Sequence, residues 1–182
     1  MRDLILLLKD KKDKLLIYTQ CYTNLITMTK NLIIFDLDGT ICDVEHRRKF
    51  VASKPKNWNA WNKGLSMDKP HLPVKFIFDC ISNMIRTYTD TTVAFVSGRS
   101  EEYRDETIHW LNLNGFGNYT SNLYMRKAND SRNDAIIKSE IADEIEKEYN
   151  IFCVFDDRKR VVDMWVNRGI FVFDVGQGKG DF

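Results

Sequence analysis

Asp36 and Asp38 stand two residues apart at the end of an apolar run, in the stretch "NLIIFDLDGTICD" (31–43). On a continuing strand their carboxylates would face the same way. Gly39 follows at once and can bend the backbone, so that both reach one pocket. Asp156 and Asp157 close another apolar run, "IFCVFDD". Carboxylates gathered in one place repel, and burial sharpens the repulsion. A hard divalent cation, Mg²⁺ above all, removes that problem and keeps positions open for water and a phosphate oxygen. Ser97 and Arg99 in "VSGR", with Lys138, Arg47 and Arg132, are candidates to converge on the same place. Such a set suits phosphoryl transfer. Asp36 could attack phosphorus and carry an aspartyl-phosphate. Asp38 could protonate the leaving oxygen and later activate water. Mg²⁺ and Lys138 would offset the charge on the transferring group.

These groups come from distant parts of the chain, so the fold must collect them. Five short apolar runs read as strands: 31–35, 91–96, 122–125, 151–155 and 170–175. Helical spacing connects them. Val74, Ile77, Phe78, Ile81, Ile85 and Tyr88 form one stripe, and Ile137, Ile141 and Ile145 another. Ser100 is a candidate cap for a helix over 101–112, with Gly115 as its stop. Ser131 with Asp134 reads as the start of the next helix, and 159–168 as the last. Strands alternating with helices predict an α/β domain on a mostly parallel sheet. Three strands end in polar groups: Asp36-Leu37-Asp38, Ser97-Gly98-Arg99 and Asp156-Asp157-Arg158. If these strands are parallel, the three groups share one rim, where ligands of such sheets bind. Residues 43 to 73 break the alternation and read as an insertion over that rim, helical around Trp58 and Trp61.

The bulk composition sets limits. A chain of 182 residues with 43% hydrophobic and 29% charged residues reads as one globular domain. A net charge of +1 means that a nucleic-acid partner would need a local basic patch. Four cysteines without a C-x-x-C pair argue against a zinc site or a disulfide framework and for a reducing, cytoplasmic setting. No apolar stretch is long enough to span a membrane. Residues 1–29 carry no motif and read as an N-terminal extension, leaving 30–182 as the domain. No feature specifies an oligomeric state.

"FDLDGT", "VSGR", Lys138 and "FDDR", in this order, resemble the four motifs of the haloacid dehalogenase (HAD) superfamily of phosphohydrolases. "LYMRKANDSRNDAIIKSEI", "VFDDRKRVVDMW" and the terminal "GDF" resemble more closely the phosphatase domain of bacteriophage-type polynucleotide kinase/phosphatase. The resemblance implies a Rossmann-like HAD fold with strand order 3-2-1-4-5 and a small cap. It implies Asp36 as nucleophile and Asp38 as general acid/base. Asp36, the Asp38 carbonyl and Asp156 would hold Mg²⁺, with Asp157 close by. Ser97 and Lys138 would hold the phosphoryl group, and Arg47, Arg99 and Arg132, with Gly98 and Thr40, would contact substrate. Asp134 falls with Arg132 in the family's "D-x-R-x-D" stretch. The implied substrate is a 3′-phosphate on a nucleic acid end or a nucleotide. No G-x-x-x-x-G-K-[ST] occurs, so no kinase domain is expected in this chain.

Plainer readings stand beside these. Arg47 could belong to a surface run with Arg48 and Lys49, and Lys138 to a solvated helix face. Asp157 could merely fix Arg158, and Cys42 could be a small filler. Trp58 and Trp61, three apart, could stack on a base or could pack the insertion onto the core. His46 could contact substrate, while His71 and His109 show no ligand spacing. Two other functions keep the same motifs: a 5′-nucleotidase, and a non-catalytic module that recognises nucleic acid ends.

Overall fold

The computed structural model describes residues 30–85 and 90–176. The expectations for residues 1–29, for Tyr88 and for the tail from residue 177 lie outside them. The central sheet has five strands: β1 (Lys30–Phe35), β4 (Thr91–Ser100), β5 (Leu123–Arg126), β6 (Tyr149–Asp156) and β7 (Val172–Asp174). Their order is β5-β4-β1-β6-β7, every neighbouring pair is parallel, and β1 is central. This is the order 3-2-1-4-5 expected from the sequence, a HAD-like α/β fold.

Alternation along β1 explains the layering. Ile33 and Phe35 point to one face, where they join Phe78 of α3 (Leu72–Ile85) and Trp110 and Leu111 of α4 (Arg104–Leu113). Leu32 and Ile34 point to the other, among Ala142 and Ile145 of α5 (Asp134–Ile145) and Val161 and Trp165 of α6 (Lys159–Asn167). A central strand covered on both faces has no solvent side, which is why "LIIF" (32–35) is apolar throughout. Phe35 stacks on Phe155 at 4.4 Å, and Phe155 on Phe173 at 4.5 Å.

The insertion is a small cap. Two short strands, β2 (Cys42–Asp43) and β3 (Lys69–Pro70), pair antiparallel at its base. Between them lie α1 (Glu45–Arg48) and α2 (Trp58–Lys63). No helix among the described residues is long and apolar enough to cross a membrane.

Three local expectations are corrected. The second strand runs on to Ser100, with a register shift against β5 between Ser97 and Ser100. The segment after Ser100 is a 3₁₀ turn over Glu101–Tyr103, and the α-helix begins only at Arg104. The cap of α5 is Asn133, whose side chain accepts the Ala135 amide at 3.0 Å. Asp134 is instead the first helical residue, and its carboxylate is held by Arg158.

Candidate active site

The carboxyl ends of β1, β4 and β6 meet on one rim, and the cap stands beside it. A cavity of about 490 Å³ opens there, lined by Asp36, Asp38, Gly98, Arg99, Lys138, Asp156 and Asp157 from the core and by Trp58 and Trp61 from the cap. Gly39 makes the turn after β1 with φ +93°. Its missing side chain is also a necessity of space, because a Cβ would stand 2.1 Å from Asp157 Oδ2. The motif glycine therefore serves both the bend and the close approach of the carboxylate that follows β6.

Asp36 and Asp38 sit in separate electrostatic surroundings. Asp36 forms a trio with Asp156 and Asp157, with one carboxylate oxygen of each within 4.8 Å of the others. Lys138 reaches into this trio from α5 and donates to Asp36 Oδ1 and to Asp156 Oδ2, both at 2.7 Å. It is 3% exposed, so its ammonium belongs to the pocket and not to the solvated face of the helix. Thr40 is buried beside it and donates to Asp36 Oδ2 at 3.4 Å. Burial pushes the Asp36 carboxyl up to about 8, Lys138 opposing and Asp156 and Asp157 adding to the rise. Burial likewise raises Asp157 to about 7, helped by Asp156.

With all three carboxylates ionised, the one ammonium that bonds them leaves two negative charges, which one divalent cation would balance. Asp157 Oδ1 is buried with no hydrogen-bond partner. An orphaned carboxylate oxygen is costly unless something positive meets it. All the side-chain donors are hard oxygens, the kind that Mg²⁺ takes. The residues therefore fit the cation that the sequence implied.

Asp38 turns the other way. Its Oδ1 accepts from Arg47 Nη2 at 2.6 Å and from Arg99 Nε at 2.9 Å, and pairs also with Arg99 Nη2. Burial would raise its pKa, but Arg99 and then Arg47 outweigh that and hold it well below the usual carboxylate range. Its side chain thus stands apart from the acidic trio, which leaves only the backbone carbonyl for the metal role that the resemblance implied. Arg47 is fully buried and so is not part of a surface basic run. It also lies over Trp61, 4.0 Å from the ring centroid.

Ser97 and Arg99 share one side of β4, and both are buried. The Ser97 hydroxyl accepts the Arg99 amide at 3.2 Å, while Gly98 between them offers its carbonyl to Arg126 Nε at 2.8 Å. Arg132 lines the outer cavity wall but is tied to Asp130 and Glu140 at the surface. His46 Nε2 lies 2.9 Å from Asp68, and His71 Nδ1 lies 3.2 Å from the Thr40 carbonyl. His109 is exposed on α4, away from the cavity lining. Cys42 lies buried against Arg99, its sulfur 3.3 Å from Nη2.

Three further participants were not among the candidate site residues, and of these Asp68 alone lay outside the quoted motifs. Asp68, 5% exposed, accepts from Arg47 Nε at 2.7 Å, from Arg47 Nη2 at 2.6 Å and from Arg99 Nη2 at 3.0 Å. No signal in the sequence pointed to it, because Asp68 lies in a stretch without a motif. Arg126 ends β5 on the same rim, as polar residues end the neighbouring strands, and it donates to the backbone carbonyls of Gly98, Asp130 and Arg132. Arg158, next in sequence to the trio, pairs with Asp134 across the helix start.

Comparison with known proteins places this geometry. A chain of the Pnkp1/Rnl/Hen1 RNA repair complex superposes with a TM-score of 0.64 at 31% identity, over 81% of this chain and 43% of that one. A protein of Autographa californica nuclear polyhedrosis virus, named for polynucleotide kinase and RNA ligase activities, is 28% identical over 134 residues. That alignment takes in 73% of this chain and 17% of the viral protein, so the chain spans less than half the length of these relatives. The class C acid phosphatase of Bacillus anthracis shares the fold, with a TM-score of 0.58 at 16% identity over 90% of this chain and 73% of that one. Residues 30–182 match the family described as the polynucleotide kinase PNKP phosphatase domain, and the chain belongs to that family of HAD phosphatase domains.

Proposed function

We propose that the protein is a Mg²⁺-dependent phosphomonoesterase acting on 3′-phosphates of nucleic acid ends or nucleotides. The observation that carries this reading is the separation of the two motif aspartates. Asp36 lies among acids with one lysine, and Asp38 lies between two arginines. Carboxylates whose surroundings push them apart suit different roles in one reaction. Family membership supports the substrate class, because these domains are described by their polynucleotide kinase context.

Asp36, Asp156 and Asp157 would hold Mg²⁺, which when bound supplies positive charge to the phosphate oxygens and keeps Asp36 ionised. A carboxylate oxygen of Asp36 attacks phosphorus, and the bond to the leaving 3′-oxygen breaks. Lys138 and the Ser97 hydroxyl steady the phosphoryl oxygens as charge shifts. Arg47 and Arg99 favour an ionised Asp38, and the proton that the leaving oxygen takes enters with the substrate. A phosphate monoester with a second pKa of about 6 brings one in its monoanion. In the second half Asp38 takes a proton from the water whose oxygen attacks the aspartyl-phosphate. The Asp36–phosphorus bond breaks, and inorganic phosphate leaves with that proton, which restores the ionised Asp38. The arginine clamp aims Asp38 for this step.

The test is phosphate release from a 3′-phosphorylated oligonucleotide, a nucleoside 3′-monophosphate and a nucleoside 5′-monophosphate, each with Mg²⁺. The 3′-phosphates should turn over fastest, and Asp36→Asn should abolish all turnover. A clear preference for the 5′-monophosphate would make the protein a 5′-nucleotidase. No turnover by the wild type would leave a binding module.

A further inference from the structure

Trp58 and Trp61, three residues apart on α2, have opposite surroundings. Trp61 is 4% exposed and lies beneath the Arg47 guanidinium. Trp58 is 48% exposed and lines the cavity that holds Asp36, Asp38 and Lys138. The rings meet edge to face, with centroids 6.5 Å apart and planes at 86°. Trp61 therefore secures the cap, and fastening the cap does not account for the open part of Trp58. The position of Trp58 is defined, because Asn57 caps α2 by accepting the Ala60 amide at 3.0 Å. Lys56 lines the same cavity, its ammonium 5.4 Å from the Trp58 ring centroid.

The size of the cavity points the same way. About 490 Å³ is far more than a phosphoryl group fills and falls in the range of small-molecule sites. The acidic trio and Lys138 occupy its floor, so the space under the cap belongs to whatever the phosphate is attached to. An indole face beside a phosphate site is suited to a flat aromatic group, and base–aromatic stacking tolerates any base.

We propose that Trp58 is the platform for the leaving group's nucleobase, which stacks on the indole while its phosphate sits at Asp36. This rests on the phosphatase reading above and adds which part of the substrate is recognised.

The test compares kcat/KM for a nucleoside 3′-monophosphate and for ribose 3-phosphate, which lacks the base, in wild type, Trp58→Ala and Trp58→Phe. Trp58→Ala should lower the preference for the base-bearing substrate about tenfold, chiefly through KM, and Trp58→Phe should retain most of it. An unchanged preference in Trp58→Ala overturns the proposal. Binding is read separately in the Asp36→Asn protein. The nucleoside 3′-monophosphate should quench indole fluorescence there, and adding Trp58→Phe should remove the quench. A quench that survives Trp58→Phe overturns the proposal even if Trp58→Ala fails to fold. Failure of the underlying reading looks different: the wild type then releases phosphate from neither 3′-phosphate.

Discussion

Arg47 and Asp68 form a two-pronged ion pair sealed from solvent, with Nε 2.7 Å from Oδ1 and Nη2 2.6 Å from Oδ2. Asp68 also meets Arg99 from the core sheet, and its carbonyl accepts the Trp110 indole N–H at 2.8 Å. Both partners of the pair lie in the cap, so these two bonds tie the cap to the core. The same two arginines hold Asp38, and the Asp38 clamp and the cap's attachment are one network.

Removing Asp68 should therefore do more than remove one bond. Asp68→Ala leaves two buried guanidiniums sharing one carboxylate. Losing one member of a buried pair costs about 3–5 kcal/mol. Urea unfolding should show a loss of that order for Asp68→Ala. A loss within the scatter typical of surface substitutions would mean that the cap is held by other contacts.

The two uncompensated charges of the Asp36, Asp156 and Asp157 trio predict stabilisation by the cation. Mg²⁺ should raise the melting temperature of the wild type, and a chelator should reverse the rise. A ligand at a hundredfold excess over its dissociation constant adds about 2.7 kcal/mol to stability. Asp156→Asn should abolish most of the shift. An equal shift in that variant would place the ion elsewhere.

Gly39→Ala tests the turn. The new methyl would collide with Asp157 Oδ2 and would occupy a φ of +93° that L-residues avoid. Forcing such a conformation costs about 1–3 kcal/mol, and here it also displaces a carboxylate of the trio. Thermal melting should show the destabilisation, and Mg²⁺ should stabilise the variant less than the wild type. Wild-type behaviour in both would show that the turn relaxes freely.

Asp134 gives a pH dependence with a definite sign. Burial alone would raise its pKa. Arg158 and then Lys138, Arg160 and Arg126 outweigh burial and hold it below the ordinary 3.8. As pH falls the unfolded chain takes the proton first, so the folded state loses ground. The contribution is complete above 3.8 and is lost as pH drops through the lower folded value. Asp134→Asn should be less stable than wild type at neutral pH, and the gap should close in acid. A gap constant between pH 3 and 7 would mean that the ion pair contributes nothing.

Much of the site was legible because chemistry and topology leave marks at short range. A buried strand that ends in two aspartates and a glycine has few purposes, and strands alternating with helices admit few arrangements. Asp36, Asp38, Ser97, Arg99, Asp156 and Asp157 could be named from strand ends, and Lys138 from the resemblance to the family's motifs. Residues within the cap could not be sorted in that way. Arg47 is adjacent to exposed basic residues yet is fully buried, and Asp68 sits in a stretch without a motif.

The amino-acid sequence alone determined the order of the elements, the sheet that follows from it and the acidic rim, because apolar periodicity and motif spacing are local properties of the chain. Tertiary structure decided which charges meet: Asp38 with the arginines, Asp36 with Lys138, Trp61 inside and Trp58 outward. The reason is physical. The energy of a charge depends on what else is buried within a few ångströms of it, and folding draws those neighbours from positions as far apart as Asp36 and Lys138.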